Sequence, residues 1–217
     1  MAIQTQGNGG VIVEVDDTST RAMRVVNKPV GYGTLGHFRT NHRCVLTAAQ
    51  AANSRIFEVR NGSTNLIIPT RLVIRAIQTA AGTAQENSLD VYKCTSYTAV
   101  DTVNTVTPTA SVKRTTGMTA TPGNAQLRGV TVAGAAAGMT GGTLTKDGNS
   151  IGQQPLLVSA AAAPAVYTLD VFDDVNGTHP LVLQANEGLI IENRVLNVTS
   201  YGFSVYIDFS WVETTGY

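Results

Sequence analysis

Residues 202–213 read GFSVYIDFSWVE. Phe203, Val205, Ile207, Phe209 and Trp211 fall on one side of an extended chain, with Ser204, Tyr206, Asp208 and Ser210 on the other. Successive side chains of a strand point to opposite faces, so five large apolar groups in strict period-two alternation specify a β-strand with one face in a core. A helix would scatter the same residues around its circumference.

The same period recurs upstream. In 66–77, Leu66, Ile68, Leu72, Ile74 and Ala76 read as one face and Arg71 and Arg75 as the other, while Pro69 suits an edge or a bulge rather than a central ladder. Shorter strand candidates lie at 11–15, 22–26, 56–59, 89–94, 156–158, 166–172, 180–184 and 189–195, and 37–45 is β-like. A run of Thr and Val to about residue 112 has β-branched character throughout. Asn61-Gly62 and Ala185-Asn186-Glu187-Gly188 supply turns. Residues 116–152, rich in Gly and Thr, read as a long irregular insert. Many strands at short spacing with almost no helical period predict an all-β, antiparallel β-sandwich. A jelly-roll-like order is expected, because so many strands must be arranged without long exposed edges. The polar, glycine-rich residues 1–10 read as a mobile arm, and 11–217 as a single sandwich domain. Ser88-Leu89-Asp90-Val91-Tyr92 is echoed by Thr168-Leu169-Asp170-Val171-Phe172, a similarity short enough to arise by chance.

Composition narrows the function. The 217 residues are 43% hydrophobic, enough for a substantial core, yet only 14% charged, with a formal net charge of +0. An average soluble domain has about 25% charged residues. The longest local basic grouping, 37–43, is interrupted by Thr40 and Asn41, so the sequence offers no basic stripe for nucleic acid. No apolar run approaches the roughly 20 residues of a membrane-spanning helix. The first residues, MAIQTQGNGG, have neither the basic nor the apolar region of an export signal, so synthesis and retention in the cytoplasm are expected. Near-zero net charge removes the repulsion that keeps monomers apart, which suits a protein that packs against neighbours.

Candidate chemistry is sparse. Gly31-Tyr32-Gly33-Thr34-Leu35-Gly36 matches GxGxxG, but no strand–turn–helix unit surrounds it, and a glycine-rich turn is the expectation. His37, His42 and Cys44, with Cys94 and His179 elsewhere, raise the question of zinc. His42 and Cys44 would share a strand face, but the second ligand pair is missing, leaving ordinary surface histidines. Cys44 and Cys94 read as buried free thiols rather than a bridge. Asp170, Asp173, Asp174 and Asn176 before Gly177 approach a calcium loop, but position twelve is Leu181, so a solvated turn is expected. The sequons at Asn61, Asn176 and Asn197 read as turns, and Tyr32, Tyr92, Tyr97, Tyr201 and Tyr217 as core or interface anchors. Glu187, Glu192 and Asp208 are the carboxylates open to glycosidase chemistry, but no spacing pairs them. The sequence therefore assigns no catalytic, cofactor-binding or metal-binding residue.

A set of segments carries a resemblance: Arg21-Ala22-Met23-Arg24; Pro29 with Tyr32-Gly33-Thr34-Leu35-Gly36 and Arg39; residues 46–52; Ser54-Arg55-Ile56-Phe57-Glu58-Val59-Arg60; Leu181-Val182-Leu183-Gln184; Glu187-Gly188-Leu189-Ile190-Ile191; and the closing strand. Together they resemble a family of virion structural proteins from tailed bacteriophages. The pattern departs at Asn61-Gly62-Ser63, where an aromatic is expected. The resemblance implies a non-enzymatic β-sandwich decoration (cement) protein on the capsid surface, usually trimeric. Its partners would be the major capsid protein and copies of itself, with no cofactor, no direct nucleic acid and no membrane. Tail and tail-fibre components share the fold class. In that alternative, loops around 170–179 and 116–152 would recognise a receptor or glycan.

Overall fold

The computed structural model describes residues 5–6, 12–13, 35–108, 112–113, 124–133, 138–160, 166–172, 180–197 and 202–216. In chain order the strands are β1 (Thr5–Gln6), β2 (Ile12–Val13), β3 (Gly36–Thr47), β4 (Ser54–Asn61), β5 (Leu66–Gln78), β6 (Gln85–Ala99) and β7 (Val112–Lys113). There follow β8 (Ala125–Gly129), β9 (Val132–Ala133), β10 (Thr143–Lys146), β11 (Gly152–Val158), β12 (Val166–Asp170), β13 (Gly188–Asn193) and β14 (Gly202–Thr214). The fold is all-β. One sheet runs β12-β5-β14-β3-β7, with β9 also on β3. The other runs β10-β6-β13-β4-β8, with β11 also on β6, and β1 and β2 form a separate pair. Ladders are antiparallel except β3–β9, which is parallel. The candidate strand at 22–26 and, apart from Thr5–Gln6, the arm at 1–10 lie outside the described residues.

The closing strand is the axis of its sheet. β14 pairs with β3 from Gly202 to Glu213 and with β5 from Phe203 to Thr214. Phe203, Val205, Ile207, Phe209 and Trp211 all enter the main core, as the alternation requires. Phe209 stacks on Trp211 at 5.2 Å, and Phe38 of β3 lies 5.5 Å from the same indole. Phe57 of β4 meets Phe209 edge-on at 6.3 Å, so the two sheets share one core. Each such side chain stabilises by about 1.5–3 kcal/mol through burial.

In β5 the structure corrects the assigned face. Trp211 stands opposite Pro69 and Ser210 opposite Arg71, so Thr70 is the extra residue of a bulge. A bulge reverses the parity of everything before it. Ile67, not Leu66 or Ile68, therefore joins Leu72, Ile74 and Ala76 in the main core. The proline sits at the irregularity, where its missing N–H costs no ladder bond.

Residues 116–152 are not simply an irregular insert. β8 extends the second sheet beside β4, β9 borders β3, and β10 pairs with β6. These strands are five residues or shorter, too brief to display a period; Leu127, Val130, Ala133 and Met139 still reach the core. Residues 180–184 form no strand; only Leu183 bridges to Ile67. Among the described residues beyond Ala99 the β-branched run leaves the ladder, apart from a bridge at Val106 and the two residues of β7. The two echoed segments occupy unlike places: Asp90 is buried on β6, whereas Asp170 is exposed on β12.

Candidate functional site: an arginine–tyrosine sheet face

The outward face of the β14 sheet is built by parity. Residues of β14 with even numbers point away from the core, and the register sets Tyr206 opposite Arg43 of β3 on one side and Arg75 of β5 on the other. Ser210 likewise stands between Arg39 and Arg71. Four arginines thus flank one strand on one face. They come as two pairs spaced by four residues, an even separation that keeps each pair on one side of its strand.

Asp208 organises half of this face. Arg39 donates to it through Nε and Nη2, both at 2.8 Å, and Arg71 Nη1 lies 3.3 Å from its Oδ2. Both guanidinium groups reach it diagonally across Ser210, whose small side chain leaves room. The carboxylate is only 10% exposed, while Arg39 and Arg71 remain 43% and 42% exposed. Tyr206 and its neighbours form the other half. Tyr206 is 40% exposed, Arg43 lies 5.8 Å over its ring, and Arg43 Nη2 donates to Ser204 Oγ at 3.1 Å. Arg75 is exposed, with no side-chain partner among the described residues.

The residues first considered for zinc are part of the interior. His42 and Cys44 do share a face of β3, but it is the core face. His42 is buried, not a surface histidine: Nε2 lies 2.8 Å from the Val130 carbonyl oxygen, and burial lowers its pKa. Cys44 and Cys94 are both free and buried, and burial pushes each thiol up to about 12. No cluster of three or more His, Cys, Asp or Glu suited to a metal occurs among the described residues. His179, Asp173, Asp174, Asn176, the sequon at Asn176, most of the GxGxxG segment, and Tyr32, Tyr201 and Tyr217 lie outside them. Asn61 and Asn197, from the other two sequons, are buried hydrogen-bonding residues.

Buried charge elsewhere is committed to structure. Arg55 Nη1 donates to Glu58 at 3.0 Å, its Nη2 binds the Gly141 carbonyl, and the Asp101 carboxylate accepts from Gly141 N at 2.7 Å. This cluster fastens the 101–105 and 138–142 segments to the second sheet. Burial raises the Glu58 pKa against the pull of Tyr97, Arg55 and the Asp101 amide. Burial, then the Glu58 charge, raises that of Tyr97. Tyr97 is a fully buried core anchor.

Glu192 does have a carboxylate opposite it, Asp90 of β6, a pairing that the sequence left unseen. Both are occupied: Lys146 binds Glu192, while Ser88 Oγ (2.7 Å), Tyr92 OH (3.2 Å) and Gln153 Nε2 (3.3 Å) donate to Asp90. Burial, followed by the Asp90 and Glu192 charges, raises the Tyr92 pKa.

Compared with known proteins, the chain matches no family model and no curated sequence.

Proposed function

We propose that the chain is a non-enzymatic structural protein of a virus particle, most specifically a decoration protein that bridges neighbouring capsid subunits. The observation that carries this reading is the arginine–tyrosine face, where Tyr206, Arg43 and Arg75 stand exposed side by side on three neighbouring strands, two residue types that dominate protein–protein contacts. The weakly charged composition and the phage-like segments support it; three of those segments fall on β4, β13 and β14. The proposed architecture is a jelly-roll sandwich. It is supported by the order β12-β5-β14-β3 in one sheet against β11-β6-β13-β4 in the other, with β4, β5 and β6 entering alternate sheets.

Such a protein acts by burying surface that the shell leaves exposed. A standard interface of about 1,600 Å², repeated over a lattice, opposes internal pressure through many modest contributions. The partners in this reading are the major capsid protein and further copies of the chain as a trimer, on the outside of the particle. The arm at residues 1–10 would widen the footprint on contact.

Quantitative mass spectrometry of purified particles tests the proposal. Copies on the scale of the shell lattice are expected. A handful per particle would indicate a tail component, and absence from particles would sink the reading.

A further inference from the structure

The face around Tyr206 carries a charge that the whole chain does not. Among the described residues, four guanidinium groups stand against the carboxylates of Asp208 and Asp170, leaving a net charge of +2 on a protein whose formal charge is +0. Asp208 already engages Arg39 and Arg71. Among the described residues, the cations of this face without a carboxylate partner are Arg43 and Arg75, directly opposite Tyr206 on its two neighbouring strands. Strands lie about 4.8 Å apart, so the two arginine backbones are separated by roughly 10 Å with a half-exposed aromatic ring between them.

We infer that this row is a docking site for an acidic protein segment, one that sets carboxylates against Arg43 and Arg75 and an apolar group on Tyr206. Charge complementarity selects the sign of the partner. Guanidinium forks match carboxylates with paired hydrogen bonds, and Tyr with Arg is a frequent energetic centre of protein interfaces. Two such cations on this face, among the described residues, are few for nucleic acid, whose affinity grows with the number of phosphates neutralised. A protein partner needs no more than a local match. The inference deepens the particle reading by naming the contacting chemistry, and rests on it only for where the partner resides. Copy number tests that location and peptide binding tests the face, so either can fail alone.

The experiment is titration of the full chain with poly-L-glutamate, and separately with an oligothymidylate of similar charge, in about 0.15 M salt, where the Debye length is about 8 Å. Expected is saturable polyglutamate binding that weakens with added salt and falls about tenfold in the Arg43→Ala/Arg75→Ala double variant, a loss of about 1.4 kcal/mol. Arg75→Ala alone removes no side-chain hydrogen bond or ion pair among the described residues and should lower affinity without moving the unfolding midpoint. Tyr206→Ala should weaken binding without changing its salt dependence. Arg194→Ala, just past the end of β13, should bind as the parent does. The inference is overturned if polyglutamate fails to bind, if the double variant binds equally well, or if oligothymidylate binds as tightly as polyglutamate.

Discussion

Asp208 accepts two hydrogen bonds from Arg39 across the ladder, each 2.8 Å long, and faces Arg71 from the opposite neighbour. One nearly buried carboxylate thereby holds cations from two strands together. Asp208→Asn should leave the two guanidinium groups repelling each other across Ser210. Both arginines are partly exposed, so screening limits the effect to about 1–2 kcal/mol. Urea unfolding should report it, with a smaller difference at high salt.

The aromatic cluster carries a larger share. Phe209 contacts Trp211 within its own strand and Phe57 from the other sheet. Phe209→Ala should cost about 3–5 kcal/mol, through lost burial and the cavity left behind. Tyr206→Ala on the outward face should change the unfolding midpoint far less.

The buried thiols give a pH dependence whose sign is fixed. Their folded values, about 12, lie above the ordinary 9.0, so the folded state holds its protons longer than the unfolded chain. Stability is fully present below pH 9 and declines as pH rises toward about 12, at up to about 1.4 kcal/mol per unit for each thiol. In a Cys44→Ala/Cys94→Ala variant that part of the alkaline loss should vanish. The lowered value of His42 acts in the other direction, removing stability as pH falls below 6.5.

A network of amides closes one end of the core. Asn87 Nδ2 donates to Asn193 Oδ1 and Asn197 Oδ1, both at 2.7 Å, and Asn87 Oδ1 accepts from Val195 N at 3.2 Å. Asn197 continues it to the Thr47 carbonyl and Gln50, and Gln50 to Ser54. Asn87→Ala strands several buried partners at once and should cost about 1–3 kcal/mol. Hydrogen exchange should quicken at Val195 and Asn197, whose neighbouring backbone the network holds.

Much of the fold was legible because burial imposes a period. β14 announced itself through five alternating apolar residues, and the proline of β5 through its missing donor. The edge strands β8, β9 and β10 did not, since two to five residues cannot show a repeat. The candidate face was half legible. Arg71 and Arg75 could be placed on one side of their strand, and Arg39 and Arg43 share the same spacing of four. That both pairs flank β14, setting Arg43 and Arg75 beside Tyr206 and Arg39 and Arg71 beside Ser210, depends on strand neighbours far apart in the chain. The pairing of Asp90 with Glu192 was hidden for the same reason.

The order of residues alone determined that this chain is β-rich and which side of its last strand is apolar. Those properties follow from side-chain polarity acting over two to ten neighbouring positions. Tertiary structure alone decided that β14 lies between β3 and β5, that a bulge at Thr70 reverses a face, and that scattered arginines gather along one strand. Such outcomes depend on pairing between distant segments, where register is settled by the collective burial of both partners and leaves no local trace.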